Sequence, residues 1–397
     1  MIYLDNAAST AMDYRVADAM DVSGAFANPS SIHRAGRTAK RKISEARAQF
    51  AELLNCNDDQ IIFTSGGSES NAMVLRGYKP LYEDRANKVA YSAVEHDSVS
   101  ENAKRFPAGM WADPVVIPVS KYGTVNIDKL CEILEDRTVK LVSVMAANNE
   151  IPSTNCIPDI AQICHEYGAA LHTDCVQAVG SIDLDVRRMD ADFVSLSAHK
   201  FYGPKGVGVL YCKDKSTLYP LVSGSGSQEF GLKCGTENVR GIVGAGKAAE
   251  LIRLEAEADS DRICRIKLHF YDQLSKNLKK LGLADVLHTN GFAPASMLVA
   301  GASGKILSLT FDGVDAQSLV LALSAKDIFI SAGSACNSDS TVGSHVLRAI
   351  GLTEKQAHST VRISFSKYDS IETATRAAGI IAETVSALKS IGGVWRE

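Results

Sequence analysis

Short runs rich in Val, Ile and Leu alternate along the chain with stretches whose apolar positions recur every three or four residues. "QIIFTS" (60–65) leads into "ESNAMVLRGY", "KLVSVMAA" (140–147) precedes "PDIAQICHEYG" (158–168), and "AALHTD" (169–174) and "ADFVSLSA" (191–198) follow. Continuous short apolar runs read as strands buried on both faces, and their alternation with helices predicts an α/β architecture with a mostly parallel sheet. Functional groups then gather beyond the carboxyl ends of the strands. From about Leu251 to Lys280 the chain has no Pro or Gly and reads as one long helix. After it, "KILSLTFDG", "DIFISAGS" and "TVRISFS" read as strands interleaved with "AQSLVLALSA" and a C-terminal helix, "TATRAAGIIAETVSALKS". This predicts a second, smaller α+β domain with the long helix as the join. The sequence contains no internal repeat and no low-complexity linker.

Composition narrows this picture only slightly. With 397 residues there is chain enough for a large core, and a net charge of -4 argues against a dedicated nucleic-acid or acidic-membrane surface. No stretch approaches the roughly 18 unbroken apolar residues a membrane span needs. "MIYLDNAAST" shows no charged start followed by an apolar run, so a cytoplasmic location is expected. The nine cysteines (56, 131, 156, 164, 175, 212, 234, 264 and 336) are scattered without a Cys-x-x-Cys pair. That is neither a disulfide framework nor a ligand set for zinc or an iron-sulfur cluster, and no metal site is expected.

Two glycine motifs are decoys. "GIVGAGKA" (241–248) nearly matches a P-loop and "GAGKAA" (244–249) matches a minimal dinucleotide fingerprint, but the lead-in "GTENVRG" is too polar and short for the strand both require. A helix start with small residues for close packing is the simpler reading. "TSGGSESN" (64–71) is a better signal, because an apolar strand runs straight into Gly66, Gly67 and Ser68 and then a helix. Backbone N–H groups at such a turn suit a phosphate or other anion. "HTDCVQAVG" (172–180) sets Asp174 and Gln177 at a strand end, and "SLSAHKFYGPKGVG" (195–208) sets Ser197, His199 and Lys200 at another. A lysine for a Schiff base, an acid for a pyridine nitrogen and an anion site are together the requirements of pyridoxal 5'-phosphate.

The motifs "YLDNAAST", "NPSSIHRAGR", "FTSGGSESNAM", "VEHDSV", "ANNEIP", "HTDCVQAVG", "SAHKFYGPKGVG", "CGTENV", "GSACNSDS" and "HVLRAIGL...STVRISF" closely resemble, in order and spacing, the cysteine desulfurases of the NifS/IscS type. The resemblance runs from Tyr3 to about Phe365. It implies the fold of the aspartate aminotransferase-like pyridoxal-phosphate enzymes, with a large domain over residues 15–255 and a small one built from 1–14 and 256–397. It implies Lys200 as the Schiff-base lysine, Asp174 as partner of the pyridine nitrogen, His96 stacked on the ring and moving protons, and Gln177 on the phenolic oxygen. Gly67, Ser68, Ser197 and His199 would hold the phosphate, with Thr236 reaching it from the other subunit of a homodimer. Asn149 and Arg362 would grip the carboxylate of L-cysteine, the guanidinium in its two-pronged geometry.

In this resemblance Cys336 is the nucleophile that receives sulfur as a persulfide, L-alanine being the other product. Its setting in "GSACNSDS" (333–340), small and polar up to a helix near His345, suits a thiol that meets substrate and then hands sulfur to acceptor or scaffold proteins. Iron-sulfur cluster assembly and tRNA thiolation are among the destinations such an enzyme serves. Phe230 and Lys233 stand where the resembled family usually has arginines, Cys234 where it has Ser, and Asp312 where Pro is commoner. A selenocysteine lyase or aminotransferase on the same fold is the alternative enzyme, and a non-catalytic sulfur-carrier scaffold is the alternative outside enzymes.

Overall fold

The computed structural model describes residues 1–21, 26–104, 114–224, 226, 228–292, 304–333 and 343–391. After a two-residue strand, β1 (Ile2–Tyr3), come β2 (Ile61–Thr64), β3 (Lys88–Ser92), β4 (Val115–Ile117), β5 (Val139–Ser143), β6 (Ala170–Asp174), β7 (Phe193–Ser197) and β8 (Gly208–Cys212). β2 to β8 form one sheet in the order β2-β8-β7-β6-β5-β3-β4. Only β8 runs against its neighbours, and the other pairings are parallel. Every residue of β2, β7 and β8 is buried, as expected of strands covered on both faces. The chain leaves β3 for the edge strand β4 and returns to β5 on the other side of β3. That reversal opens a crevice beyond the carboxyl ends of β3 and β5, the usual place for a ligand in such sheets.

One apolar layer over this sheet is built around Ile43, Phe50, Leu171, Ile242 and Ile252, the other around Met73, Val74, Leu81 and Val99. Helix Arg34–Leu54 shows how the first arises: Gly36, Ala39, Ile43, Ala46, Phe50 and Leu54 recur at three- and four-residue spacing and are all buried. His33 caps its start by accepting from Gly36 N–H, and Asn55 ends it in the left-handed conformation.

The long helix begins at Val239, well before Leu251, and continues to Lys280 with Asn238 as N-cap. Both glycine decoys therefore lie inside a helix. Helix propensity alone disfavours Gly241, Gly244 and Gly246, but packing requires two of them. A Cβ on Gly246 would sit 2.7 Å from Ala46 Cα, and one on Gly244 would sit 2.6 Å from Met20 Cγ. The first half of the helix lies in the sheet's core, and Ile263, Ile266, Phe270, Leu274 and Leu278 lie in a second core.

That second core covers an antiparallel sheet of β9 (Leu287–Thr289), β10 (Ile306–Phe311) and β12 (Thr360–Ser364), ordered β12-β10-β9. Helices Ala316–Ser324 and Ile371–Ser390 pack on it. β1 pairs in parallel with β11 (Ile328–Phe329), which carries the start of the chain, with Ile2 and Leu4, into this core. The sequence reading had "KLVSVMAA" as one strand. β5 stops at Ser143, although Val144 and Ala146 still donate to the carbonyls of His172 and Asp174. Among the described residues no helix is long and apolar enough to cross a membrane, and no group of three His, Cys, Asp or Glu could hold a metal ion.

Candidate active site

A cavity of about 440 Å³ opens beyond the carboxyl ends of the central strands. Its walls include Gly67, Ser68, His96, Asn149, Asp174, Gln177, Ser197, His199, Lys200 and Arg362. The chain brings them together from positions 295 residues apart because most sit at or just past an element's end, while Arg362 reaches in from within β12. β2 turns through Gly66 into helix Gly67–Gly77, whose first N–H groups have no partner within the helix. This turn is pressed tight: a Cβ on Gly67 would lie 2.6 Å from Val176, and one on Gly208 would lie 2.5 Å from the Gly66 carbonyl carbon.

Asp174 ends β6, where Oδ1 accepts from Val176 N–H at 2.9 Å and Oδ2 from Asn71 Nδ2 at 2.8 Å. Lys200, three residues past β7, donates to the carbonyls of Ala7 and Ala8 at 2.7 and 2.9 Å. Gln177 donates to the same Ala7 carbonyl at 2.8 Å. Arg362, almost fully buried on β12, donates to the Asn149 carbonyl at 2.7 Å and to Asp5 at 2.8 Å.

Burial sets the protonation of the surrounding groups. His199 is pushed down to about 4 by burial and by the charges of Lys200 and Lys205, so it is a neutral donor and acceptor at ordinary pH. Glu95, beside His96, is pushed up to about 8 by complete burial, although Ser92 Oγ and Met145 N–H both donate to its Oε1. His172 lies two residues before Asp174, between the Ser143 and Ser195 hydroxyls at 2.8 and 3.0 Å. Burial pushes it down to about 4. Lys305 is buried next to the cationic site and is lowered to about 7 by burial and then by Lys200 and Arg362.

Four side chains of the cavity wall carry buried polar atoms with no hydrogen-bond partner among the described residues: Asn71 Oδ1, Asn149 Oδ1, Gln177 Oε1 and Arg362 Nε. Buried polar atoms are nearly always paired in folded proteins, so this convergence marks atoms waiting for a polar ligand. The sequence reading had not singled out Asn71, Ser98, Met145, Lys205 or Lys305. Asn71 stood inside a quoted motif, but nothing local to it showed that it would reach Asp174.

Two expected residues stand apart. Thr236 lines a separate recess of about 150 Å³, which shares Ser65 and Gly206 with the main cavity. Cys336 lies outside the described residues. The chain approaches that segment through Ser331, which exchanges backbone hydrogen bonds with Arg362, and is described again from Gly343. Ser344 then donates to Glu150 at 2.5 Å and His345 to the Glu95 carbonyl at 2.9 Å, and a helix starts at His345. Of the departures from the resembled family, Lys233 pairs with Glu69 at 2.6 Å, and Phe230 lies over the Arg47 guanidinium.

A family model described as Aminotransferase class-V matches residues 2–376. The chain belongs to this family. Among class-V relatives it is similar to the cysteine desulfurase IscS of Methanosarcina thermophila, at 36% identity over 392 residues, spanning 98% of this chain and 93% of that protein. A solved NifS-like protein superposes with a TM-score of 0.84 at 30% identity, over 98% of this chain and 99% of that one. A structure described as SspA in complex with cysteine superposes with a TM-score of 0.76, again at 30% identity, over 93% and 100% of the two chains. The mostly parallel sheet and second α+β core described above are thus a class-V fold.

Proposed function

We propose that this chain is a cysteine desulfurase that uses pyridoxal 5'-phosphate to take sulfur from L-cysteine, releasing L-alanine and leaving a persulfide on Cys336. The observation that carries the proposal is the convergence of unpaired Asn149, Gln177 and Arg362 atoms on one cavity with Lys200 and Asp174. That donor set fits the cofactor: a primary amine, a carboxylate and a glycine turn at a helix N-terminus. The cofactor, when bound, supplies an electron sink for charge developing on the substrate.

The chain's own residues do the rest. Lys200 would hold the cofactor covalently, and Asp174, already anchored by Val176 N–H and Asn71, would take its ring nitrogen. Gly67, Ser68, Ser197 and His199 form the phosphate end, joined by Thr236 of a second copy in a homodimer. Gln177 would hydrogen-bond the ring's phenolic oxygen. His96 would stack on the ring and carry the proton between substrate and protein. Arg362 and Asn149 receive the substrate carboxylate. Cys336 as thiolate attacks the substrate sulfur. An S–S bond forms, the C–S bond breaks with its electron pair passing to the substrate side, and a proton added at that carbon completes alanine.

Residues 15–255 would form the cofactor-binding domain, and 1–14 with 256–397 the smaller one, a division supported by the separate apolar cores. The cytoplasm and a soluble sulfur-acceptor or scaffold protein complete the reading. The test is an intact-mass spectrum with peptide mapping after brief exposure of the cofactor-loaded protein to L-cysteine without reductant. One added sulfur on the Cys336 peptide with alanine released supports the proposal. Unmodified Cys336 in a protein that plainly holds the cofactor sinks it.

A further inference from the structure

A continuous hydrogen-bond chain runs beneath the cavity from His96 to Asp174. Ser98 N–H donates to His96 Nδ1 at 3.0 Å, and the Ser98 hydroxyl lies 2.8 Å from the same nitrogen. Asn71 Nδ2 donates both to Ser98 Oγ, at 2.9 Å, and to Asp174 Oδ2, at 2.8 Å. The directions along this chain are forced. Asn71 must turn its amide nitrogen toward Asp174, because its own oxygen there would face a carboxylate oxygen. Ser98 Oγ, accepting from Asn71, is left to donate its hydrogen to His96. A backbone N–H can only donate, so His96 Nδ1 is an acceptor and carries no proton. Asn71 is completely buried and its Oδ1 has no partner, so little else holds this amide in place.

We infer that Asn71 and Ser98 are positioning residues that lock His96 as the Nε2–H tautomer and tie its ring to the carboxylate of Asp174. The inference rests on the reading above for the use made of His96, and on geometry alone for the tautomer. To donate a proton to the substrate, a neutral imidazole must hold it on the nitrogen that meets the substrate. Two donors at Nδ1 fix this before substrate arrives, and the shared amide of Asn71 keeps His96 and Asp174 in register. One misplaced link would loosen both.

The test is nitrogen NMR of the holoenzyme labelled with ¹⁵N-histidine, with His96→Asn identifying the signal, alongside kinetics of Ser98→Ala, Ser98→Thr and Asn71→Leu. Wild-type His96 is expected as neutral imidazole with Nδ1 unprotonated. In Ser98→Ala, Nδ1 loses one of two donors and its resonance moves toward that of an unbonded ring nitrogen. The same variant is expected to lose about tenfold in kcat with KM within about twofold, and Ser98→Thr, which keeps the hydroxyl, to regain it. Asn71→Leu is expected to show the Ser98→Ala pattern. A wild-type His96 protonated at Nδ1 overturns the inference, as does a Ser98→Ala enzyme with unchanged nitrogen signal and kcat. If the wild type consumes no L-cysteine, the desulfurase reading fails, while the nitrogen signals still decide the tautomer.

Discussion

Single side chains at this site answer to the dielectric around them as much as to their partners. Glu95 has its folded pKa raised from 4.5 to about 8 by burial, so the folded state binds a proton that the unfolded chain releases. Its favourable contribution is full below about pH 4.5 and is lost as pH rises toward 8. Glu95→Gln, which keeps an acceptor for Ser92 and Met145, is therefore expected to flatten this fall and to stabilise the protein at pH 8 relative to pH 5 by on the order of 1–3 kcal/mol. Urea midpoints across that range check the sign. His172 behaves oppositely. Its folded pKa lies below its usual value, so stability is lost as pH falls from 6.5 to about 4. His172→Gln is expected to hold a nearly constant urea midpoint over that window, whereas the wild type loses ground steadily. Arg362 depends on geometry: Arg362→Lys keeps the charge and loses the fork, and is expected to raise KM for L-cysteine at least about tenfold. An unchanged KM in steady-state assays would remove Arg362 from the carboxylate site.

At the scale of elements, tight packing overrides local preference. Glycine in a helix interior usually costs about 1 kcal/mol against alanine. At Gly246 the balance reverses, because any Cβ meets Ala46 backbone and side chain at 2.7 Å where helix Val239–Lys280 crosses helix Arg34–Leu54. Gly246→Val is expected to destabilise the apoenzyme by about 1–3 kcal/mol, and Gly246→Ala to bring no gain. Thermal melts compare the two directly, and stabilisation by alanine would contradict the close crossing. The sequence revealed β2, β6 and β7 because their short apolar runs are unbroken, and it passed over helix Arg34–Leu54, whose buried positions are spread along one face. It read the glycine-rich stretch 241–248 as a closely packed helix start, as observed, but did not join it to the helix read from Leu251. It also carried β5 past Ser143, since the apolar run continues there and Val144 and Ala146 still bond to β6 carbonyls although the strand has ended.

For the whole molecule, the two cores are joined by more than the long helix. Asp13, before the first helix, accepts from Arg15 and from Lys367, which follows β12, and Arg15 also grips Glu255 in the long helix. Arg15 and then Lys367 hold the Asp13 carboxyl well below the usual carboxylate range. Lys367 is buried over the Tyr202 ring, and its backbone N–H donates to the Tyr202 hydroxyl, two residues from Lys200. Asp13→Ala leaves Lys367 buried with only the longer contact to Glu255, and is expected to cost about 3–5 kcal/mol, read as a lower urea midpoint. A shift below about 1 kcal/mol would mean that this network does not tie the two cores.

The sequence by itself determined the α/β class and the second α+β core and set Asp174, Gln177 and Lys200 at strand ends, whereas His96 and Arg362 entered only through the resemblance in motif order and spacing. Strand periodicity and turn chemistry are local, and a side chain just past a strand end is visible as such. Only the tertiary structure decided which strand ends meet, that the reversal between β3 and β5 opens the cavity there, and that Asn71 and Ser98 link His96 to Asp174. Those facts depend on strand order and on contacts between residues far apart in sequence, such as Asn71 and Asp174, 103 positions apart, which no periodicity along a chain can encode.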